Sequence, residues 1–237
     1  MSEWKAKRFW KQAEARQGDD GWQVYLDGRP VRTPGKHALV MPTDALAQAV
    51  AQEWDAQTDV INPNTMPLTR AANSAIEKVA PQFDGVAQML AEYGGTDLLS
   101  YRADAPEELV QRQAAGWDPL IDWAAVELRA PLRVTSGVIP VAQDPQSLLR
   151  LRQHIDAQDI WGLTALHDLV TVPGSLILGL AVAHGRIDAD EAHRLSRIDE
   201  DFQAEQWGRD DEAVTAAENR RIAIGNAARF HALSRCD

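Results

Sequence analysis

Two stretches decide the fold between them: Trp22-Gln23-Val24-Tyr25-Leu26-Asp27-Gly28 and Thr43-Asp44-Ala45-Leu46-Ala47-Gln48-Ala49-Val50. In the first, Trp22, Val24 and Leu26 alternate with Gln23 and Tyr25, the period of a strand that buries one face. Asp27-Gly28 closes it, a dipeptide favoured in two-residue hairpin turns because both residues tolerate positive φ. In the second stretch the period lengthens. Thr43 suits an N-cap, and Leu46, Val50 and Trp54 recur at i, i+4 and i+8, one face of a helix. The chain therefore changes from extended to helical near residue 42.

Working outward, Pro34-Gly35 marks a second turn and His37–Met41 resumes an extended path. Residues 7–15 supply a further strand, and Pro30, which has no N–H to donate, is confined to an edge. Beyond Thr43 the pattern predicts helices over about 68–79, over 83–93 with a stop at Gly94-Gly95, and over 106–129. In the last of these Leu109, Trp117, Leu120, Ile121 and Leu128 form the buried side, with a bend at Pro119. After a loop holding Gly137 and Pro140, Asp144-Pro145 caps a helix over 146–158. Helices over 162–171 and 174–184 follow, and the run Leu176–Ala183 is apolar all round, hence buried. Asp188 caps a helix reaching about Trp207, with Gly208 as its stop, and a last helix covers 211–233. The expectation is an α+β fold: a small N-terminal antiparallel β-rich domain at 1–42, extending to about 65 at most, then a larger all-helical domain over 43–237.

Composition narrows the function classes. The 237 residues are 45% apolar and 25% charged, ordinary for a globular protein. The 35 acids outnumber 24 Lys and Arg, a net charge of −11 that repels phosphate and argues against a general nucleic-acid binder. The longest apolar run, Val170–Ala183, is too short to span a bilayer and is interrupted by Pro173, so no membrane insertion is expected. The single cysteine, Cys236, makes no internal disulfide. The N-terminal segment has basic residues but no apolar signal core, and the chain reads as cytoplasmic.

Familiar chemistry is missing. There is no Walker P-loop, no dinucleotide fingerprint and no nucleophile elbow, and Gly174-Ser175 reads as the opening of a helix. His167-Asp168 reads as a hydrogen-bonded core pair. His184, Asp188, Asp190 and His193 form the nearest approach to a metal-ligand grouping, without a recognised spacing. No cofactor and no metal are expected. A metal-dependent hydrolase using these residues with the carboxylates of Asp199–Asp201 stays open as an alternative.

The acidity is concentrated late. Residues 188–218 hold eleven acids and three arginines, a net of −8, whereas residues 1–42 carry +3. Within the acidic segment Ala192, Leu195, Ile198 and Phe202 form a narrow apolar stripe. Asp201 and Glu205 share another face, with Arg197 one turn earlier. Asp199-Glu200-Asp201 puts three carboxylates in one turn, where like charges repel. Such a face is either a solvated surface or an acidic dock for a basic partner; a paired-carboxylate site is a weaker third reading. Eight tryptophans against four Phe and three Tyr are unusual, and most belong to the core. Trp207, beside the acidic run, is read either as a contact or as the anchor of its helix end.

Four motifs then accumulate in order. They are Tyr25–Gly35; Glu53-Trp54-Asp55-Ala56-Gln57 with Ile61-Asn62-Pro63 and Met66-Pro67-Leu68-Thr69; Asp97-Leu98-Leu99-Ser100-Tyr101-Arg102; and Arg197–Glu200 with Phe202-Gln203 and Gln206-Trp207-Gly208. Over roughly residues 7–233 this set resembles the alpha-subunit assembly chaperones of the F-type ATP synthase, the family known in mitochondria as assembly factor 2. The resemblance implies a non-enzymatic, two-domain protein that binds unassembled alpha subunit, prevents its aggregation and hands it to beta subunits. It implies a bacterial, cytoplasmic member, its eukaryotic relatives working in the mitochondrial matrix. It further implies client binding by acids of the late helix, at Glu200, Glu205 and Asp201, with Trp54 and Trp207 as structural supports. A generic protein-binding scaffold is the remaining alternative; oligomeric state is not legible.

Overall fold

The computed structural model describes residues 7–137, 140–208 and 210–235; Trp4, Cys236 and part of the loop before Pro140 lie outside the described residues. Strands β1 (Ala13–Gly18) and β2 (Gly21–Leu26) form an antiparallel hairpin in register from Ala13 opposite Leu26 to Gly18 opposite Gly21. Asp27 and Gly28, both at positive φ (47° and 80°), turn β2 into β3 (Arg29–Pro30). Strand β4 (Val40–Met41) pairs with the start of β2, placing Trp22 opposite Met41. β2 is thus central and the Pro30 strand ends the sheet, where a missing N–H costs nothing. Val24 and Leu26 are buried and Trp22 is half-buried.

The strand expected over 7–15 begins only at Ala13. The reason is the turn. The Asp27 carboxylate accepts the Lys11 N–H at 3.0 Å and the Gln12 N–H at 3.0 Å, so neither amide is available to the ladder. Those two bonds hold the Asp27 carboxyl below its ordinary value.

Thr43 caps α1 (Asp44–Asp55), its Oγ1 accepting the Leu46 N–H at 3.1 Å, and α1 packs on β1 and β2 with Leu46 and Val50 buried. The second motif is a knot between α1 and α2 (Pro67–Ser74). Glu53 on α1 accepts the Leu68 and Thr69 N–H groups at 2.7 and 2.8 Å and the Thr69 hydroxyl at 2.6 Å. Gln57 accepts the Asn62 N–H at 2.7 Å and donates to Glu53 O and Thr65 Oγ1. These bonds satisfy the amides that open α2, which has no capping side chain of its own. From α2 the chain continues through a π turn (Ala75–Val79) and a 3₁₀ turn (Ala80–Gln82) into α3 (Phe83–Glu92).

The described residues fall into two compact units. One holds those up to Phe83, with Ile160–Thr164 and those from Arg229 onward; the other holds the rest. No single cut in the chain separates them. In the first unit Trp161 meets Phe230 at a ring distance of 6.2 Å, both buried.

The second unit is helical: α4 (Glu107–Val126), α5 (Pro145–Asp156), most of α6 (Ile160–Thr171), α7 (Leu176–Ala183), α8 (Ala189–Ser196), α9 (Ile198–Trp207) and most of α10 (Asp211–Ser234). It also contains an unexpected two-residue parallel pair, β5 (Tyr101–Arg102) with β6 (Thr135–Ser136). Asp144, Ser175 and Asp188 cap α5, α7 and α8 through the N–H groups of Gln146, Leu178 and Glu191. α3 does stop at Gly94-Gly95, but through a 3₁₀ turn (Tyr93–Gly95) and without a positive-φ glycine. A Cβ on Gly94 would lie 3.1 Å from Leu151 Cδ1 and 3.2 Å from Leu148 Cδ2, so this glycine serves close packing. The expected core pair His167–Asp168 exists, Nδ1 to Oδ1 at 2.8 Å, but on the surface.

The third motif is another knot. Asp97 is fully buried. Its Oδ1 accepts the Leu99 N–H at 3.0 Å and the Ser175 hydroxyl at 2.8 Å, and its Oδ2 accepts the Ile177 N–H at 3.0 Å. Arg102 donates to Leu99 O at 2.8 Å, pairs with Asp118 at 2.9 Å and lies over the Trp117 ring.

Candidate functional site

The acidic segment was expected as one helix from Asp188 to Trp207, and it is two. α8 ends at Ser196, Arg197 takes φ −115° and ψ 10°, and α9 starts at Ile198. The cause is α4. The Trp117 indole N–H donates to Leu195 O at 2.8 Å, occupying the carbonyl that the Asp199 N–H would need in a continuous helix. Gly116 permits the approach, since a Cβ there would meet Ile198 Cδ1 at 2.8 Å and Leu195 Cδ2 at 2.9 Å. Gln113 donates to the Asp199 carboxylate. The predicted stripe Ala192, Leu195, Ile198 and Phe202 is buried, as read.

The break changes the electrostatics. Asp199, Glu200 and Asp201 become the first turn of a new helix, whose N-terminal dipole favours negative charge and offsets their repulsion. Glu200, Asp201 and Glu205 each also have a basic partner within the second unit. Arg197 pairs with Glu200 and, at 2.8 Å, with Asp201. Arg220 on α10 reaches Glu200 at 3.0 Å. Arg112 on α4 pairs with Glu205 and with Glu108, each at 2.7 Å, and lies over the Phe202 ring. The carboxylates of Glu205 and Glu108 hold Arg112 above its ordinary value. Glu200, Asp201 and Glu205 remain about half-exposed even so. Sequence spacing revealed only the Arg197–Asp201 pair; Arg112 and Arg220 are too distant in the chain to be read from it.

Trp207 is not the buried anchor of its helix end. It is 81% exposed, whereas every other described tryptophan is buried or half-buried. Beside it, α9 and α10 border a groove of about 610 Å³ lined by Ala204, Trp207, Ala213, Val214, Ala216 and Ala217 together with Glu200, Asp201, Asp210 and Glu218. On the α4 side a second groove of about 380 Å³ holds Arg112, Gly116, Asp201 and Glu205.

The alternative metal grouping does not assemble. Asp188 caps α8, Asp190 pairs with Arg221 at 3.1 Å, His193 Nε2 bonds Ala217 O at 3.0 Å, and His184 packs edge-on to Trp123 and His154. Among the described residues no group of three metal-capable side chains comes together. No described helix is long and apolar enough to cross a membrane.

Comparison with known proteins agrees with the motif reading. A family model described as "ATP12 chaperone protein" matches residues 7–125. The mitochondrial protein atp12 of Schizosaccharomyces pombe is 24% identical over 216 residues, 85% of this chain and 74% of that protein. The crystal structure of Atp12 from Paracoccus denitrificans is 67% identical and superposes with a TM-score of 0.96 over 98% of this chain and all of that one. An aspartate-to-lysine mutant of the Paracoccus protein superposes equally well. The Atu1473 protein of Agrobacterium tumefaciens is 38% identical, with a TM-score of 0.90 over 96% of this chain and 85% of that one. The chain therefore belongs to the ATP12 chaperone family, a family of ATP synthase assembly factors and not of enzymes.

Proposed function

We propose that this protein holds the unassembled alpha subunit of the bacterial F-type ATP synthase in the cytoplasm until beta subunits replace it, and that Glu200, Asp201 and Glu205 belong to the client-binding face. The observation that carries the reading is the pairing of exposed Trp207 with half-exposed carboxylates on one short helix of a chaperone-family chain. A subunit destined for a ring exposes an apolar interface before its neighbour arrives, and such a surface aggregates. A holder has to cover it and still let go. A modest apolar contact with an acidic border does both, since the border raises on-rate and selects the client while adding little lasting affinity.

The ion pairs favour a second reading, in which the acids only latch α9 to α4 and α10. A charge swap separates the two. Glu205→Arg alone breaks the Arg112 pair and reverses the surface charge, whereas Glu205→Arg combined with Arg112→Glu restores a pair in opposite sense. Pull-down of alpha subunit is expected to weaken several-fold in the single variant and to stay weak in the double one, with capture falling as salt rises. Full recovery in the double variant would assign Glu205 to the latch.

A further inference from the structure

The start of α10 is an unpartnered helix. Within residues 211–222 every side chain is exposed except the half-buried Ala217. A free helix of that length is marginal in water. This one is held by Asp210, which accepts the Ala213 N–H at 3.0 Å, by the Arg220–Glu200 and Arg221–Asp190 pairs and by the His193–Ala217 O bond. These are all polar attachments. The apolar side of the same segment, with Val214 49% exposed, faces the groove that Trp207 borders.

We propose that this groove binds one amphipathic helix with a basic flank, presented by the client, with Trp207 as the residue that carries most of the affinity. The inference rests on the chaperone reading above and adds the chemistry of what is held. Four alanines among the lining residues leave room for a helix backbone to come close. α9 spans about 15 Å, enough for roughly three turns of an occupant lying beside it. Charge selects the sign. Four acids, Glu200, Asp201, Asp210 and Glu218, line the groove against two arginines, Arg197 and Arg220, so the lining is net negative although Arg197 pairs with Glu200 and Asp201, Arg220 with Glu200, and Arg221 with Glu218. Asp211 and Glu212 follow directly on α10. A second copy of this chain is disfavoured by the same argument, because it would bring its own −8 segment against this one. Apolar anchors spaced i, i+3, i+4 and i+7 would seat beside Trp207 and Val214, with Lys or Arg at the border.

The test uses the full chain and its Trp207→Ala variant. Because Trp207 is exposed, the variant is expected to unfold at the same denaturant concentration as the parent. Overlapping fifteen-residue peptides covering the alpha subunit, and a designed Leu/Lys amphipathic helix with a Leu/Glu counterpart, are titrated by fluorescence anisotropy. Captured alpha peptides should be net positive with helical apolar spacing, the Leu/Glu peptide should not bind, and Trp207→Ala should weaken capture about tenfold or more. Equal binding to parent and variant, or capture of acidic or non-periodic segments, would overturn the proposal. The two readings fail separately. Whole alpha subunit held equally by parent and variant removes the groove and leaves the client. Trp207-dependent capture of the Leu/Lys helix, with no capture of alpha subunit, removes the client and leaves the groove.

Discussion

Asp97→Ala is expected to cost about 3–5 kcal/mol, among the largest effects of any single substitution here, because it leaves the Leu99 and Ile177 amides and the Ser175 hydroxyl without their acceptor in a fully buried site. Two of these groups open α7, the apolar helix at the centre of the second unit. Asp97→Asn should fall between wild type and Asp97→Ala: one oxygen still serves two donors, but an amide N–H then faces the Ile177 N–H. Chemical denaturation checks both. The pH dependence has a definite sign. Burial pushes the Asp97 carboxyl above its ordinary 3.8, against the hydrogen bonds that pull it down. Folding therefore takes up a proton between 3.8 and the raised value. The contribution of Asp97 is greatest below 3.8 and declines as pH rises through that window. The stability of wild type relative to Asp97→Asn should fall over the same range and then level off. A gap unchanged across that window would contradict the burial argument.

Glu53→Ala is expected to cost about 2–3 kcal/mol and to act on the first unit. It removes the carboxylate that receives three donors at the start of α2. Glu53→Gln keeps one acceptor and should lose about half as much. Hydrogen exchange should speed up first at Leu68 and Thr69, with the amides of β2 less affected. Uniform acceleration across the whole chain would show that Glu53 is not a local cap.

Both sites lie in motifs that made the chain recognisable, and that explains much of what was legible. Caps and turns are local events. Thr43, Asp144, Asp188 and Gly208 announce helix ends because the bonds they make reach only a few residues along the chain. Asp27-Gly28 announces the hairpin for the same reason. Glu53 and Asp97 also stood out as parts of recurring strings, but their roles did not. Glu53 caps a helix that begins fourteen residues on, at Pro67 beyond Pro63, and Asp97 caps one that begins at Leu176. The break at Arg197 was invisible because its cause, the Trp117 indole, comes from α4. Residues 7–12 do not join β1 because the Lys11 and Gln12 amides go to the Asp27 carboxylate, while Lys7 forms an isolated bridge with Val60 and the Arg8 amide bonds Asp59 O. Sequence spacing placed the late acids on one helix but did not show the arginines of α4 and α10 that tie it down. Trp207 stayed open between contact and anchor because a tryptophan before a glycine stop fits both, and only the structure puts it in solvent.

The late helix thus combines two tasks that pull in different directions. Its inward side is fixed by Phe202, Ile198 and three arginines, which makes it a rigid support. Its outward side keeps Trp207 in solvent, an exposed aromatic surface that gains nothing for the isolated chain. A surface maintained at no benefit to folding is what a holder of another chain needs.

The central claim is most directly tested by expressing the alpha subunit alone, with and without this protein, and measuring how much alpha stays soluble. Soluble alpha subunit is expected to rise and to co-purify with the chaperone at low salt. Alpha subunit that precipitates to the same extent in both cultures would contradict that claim.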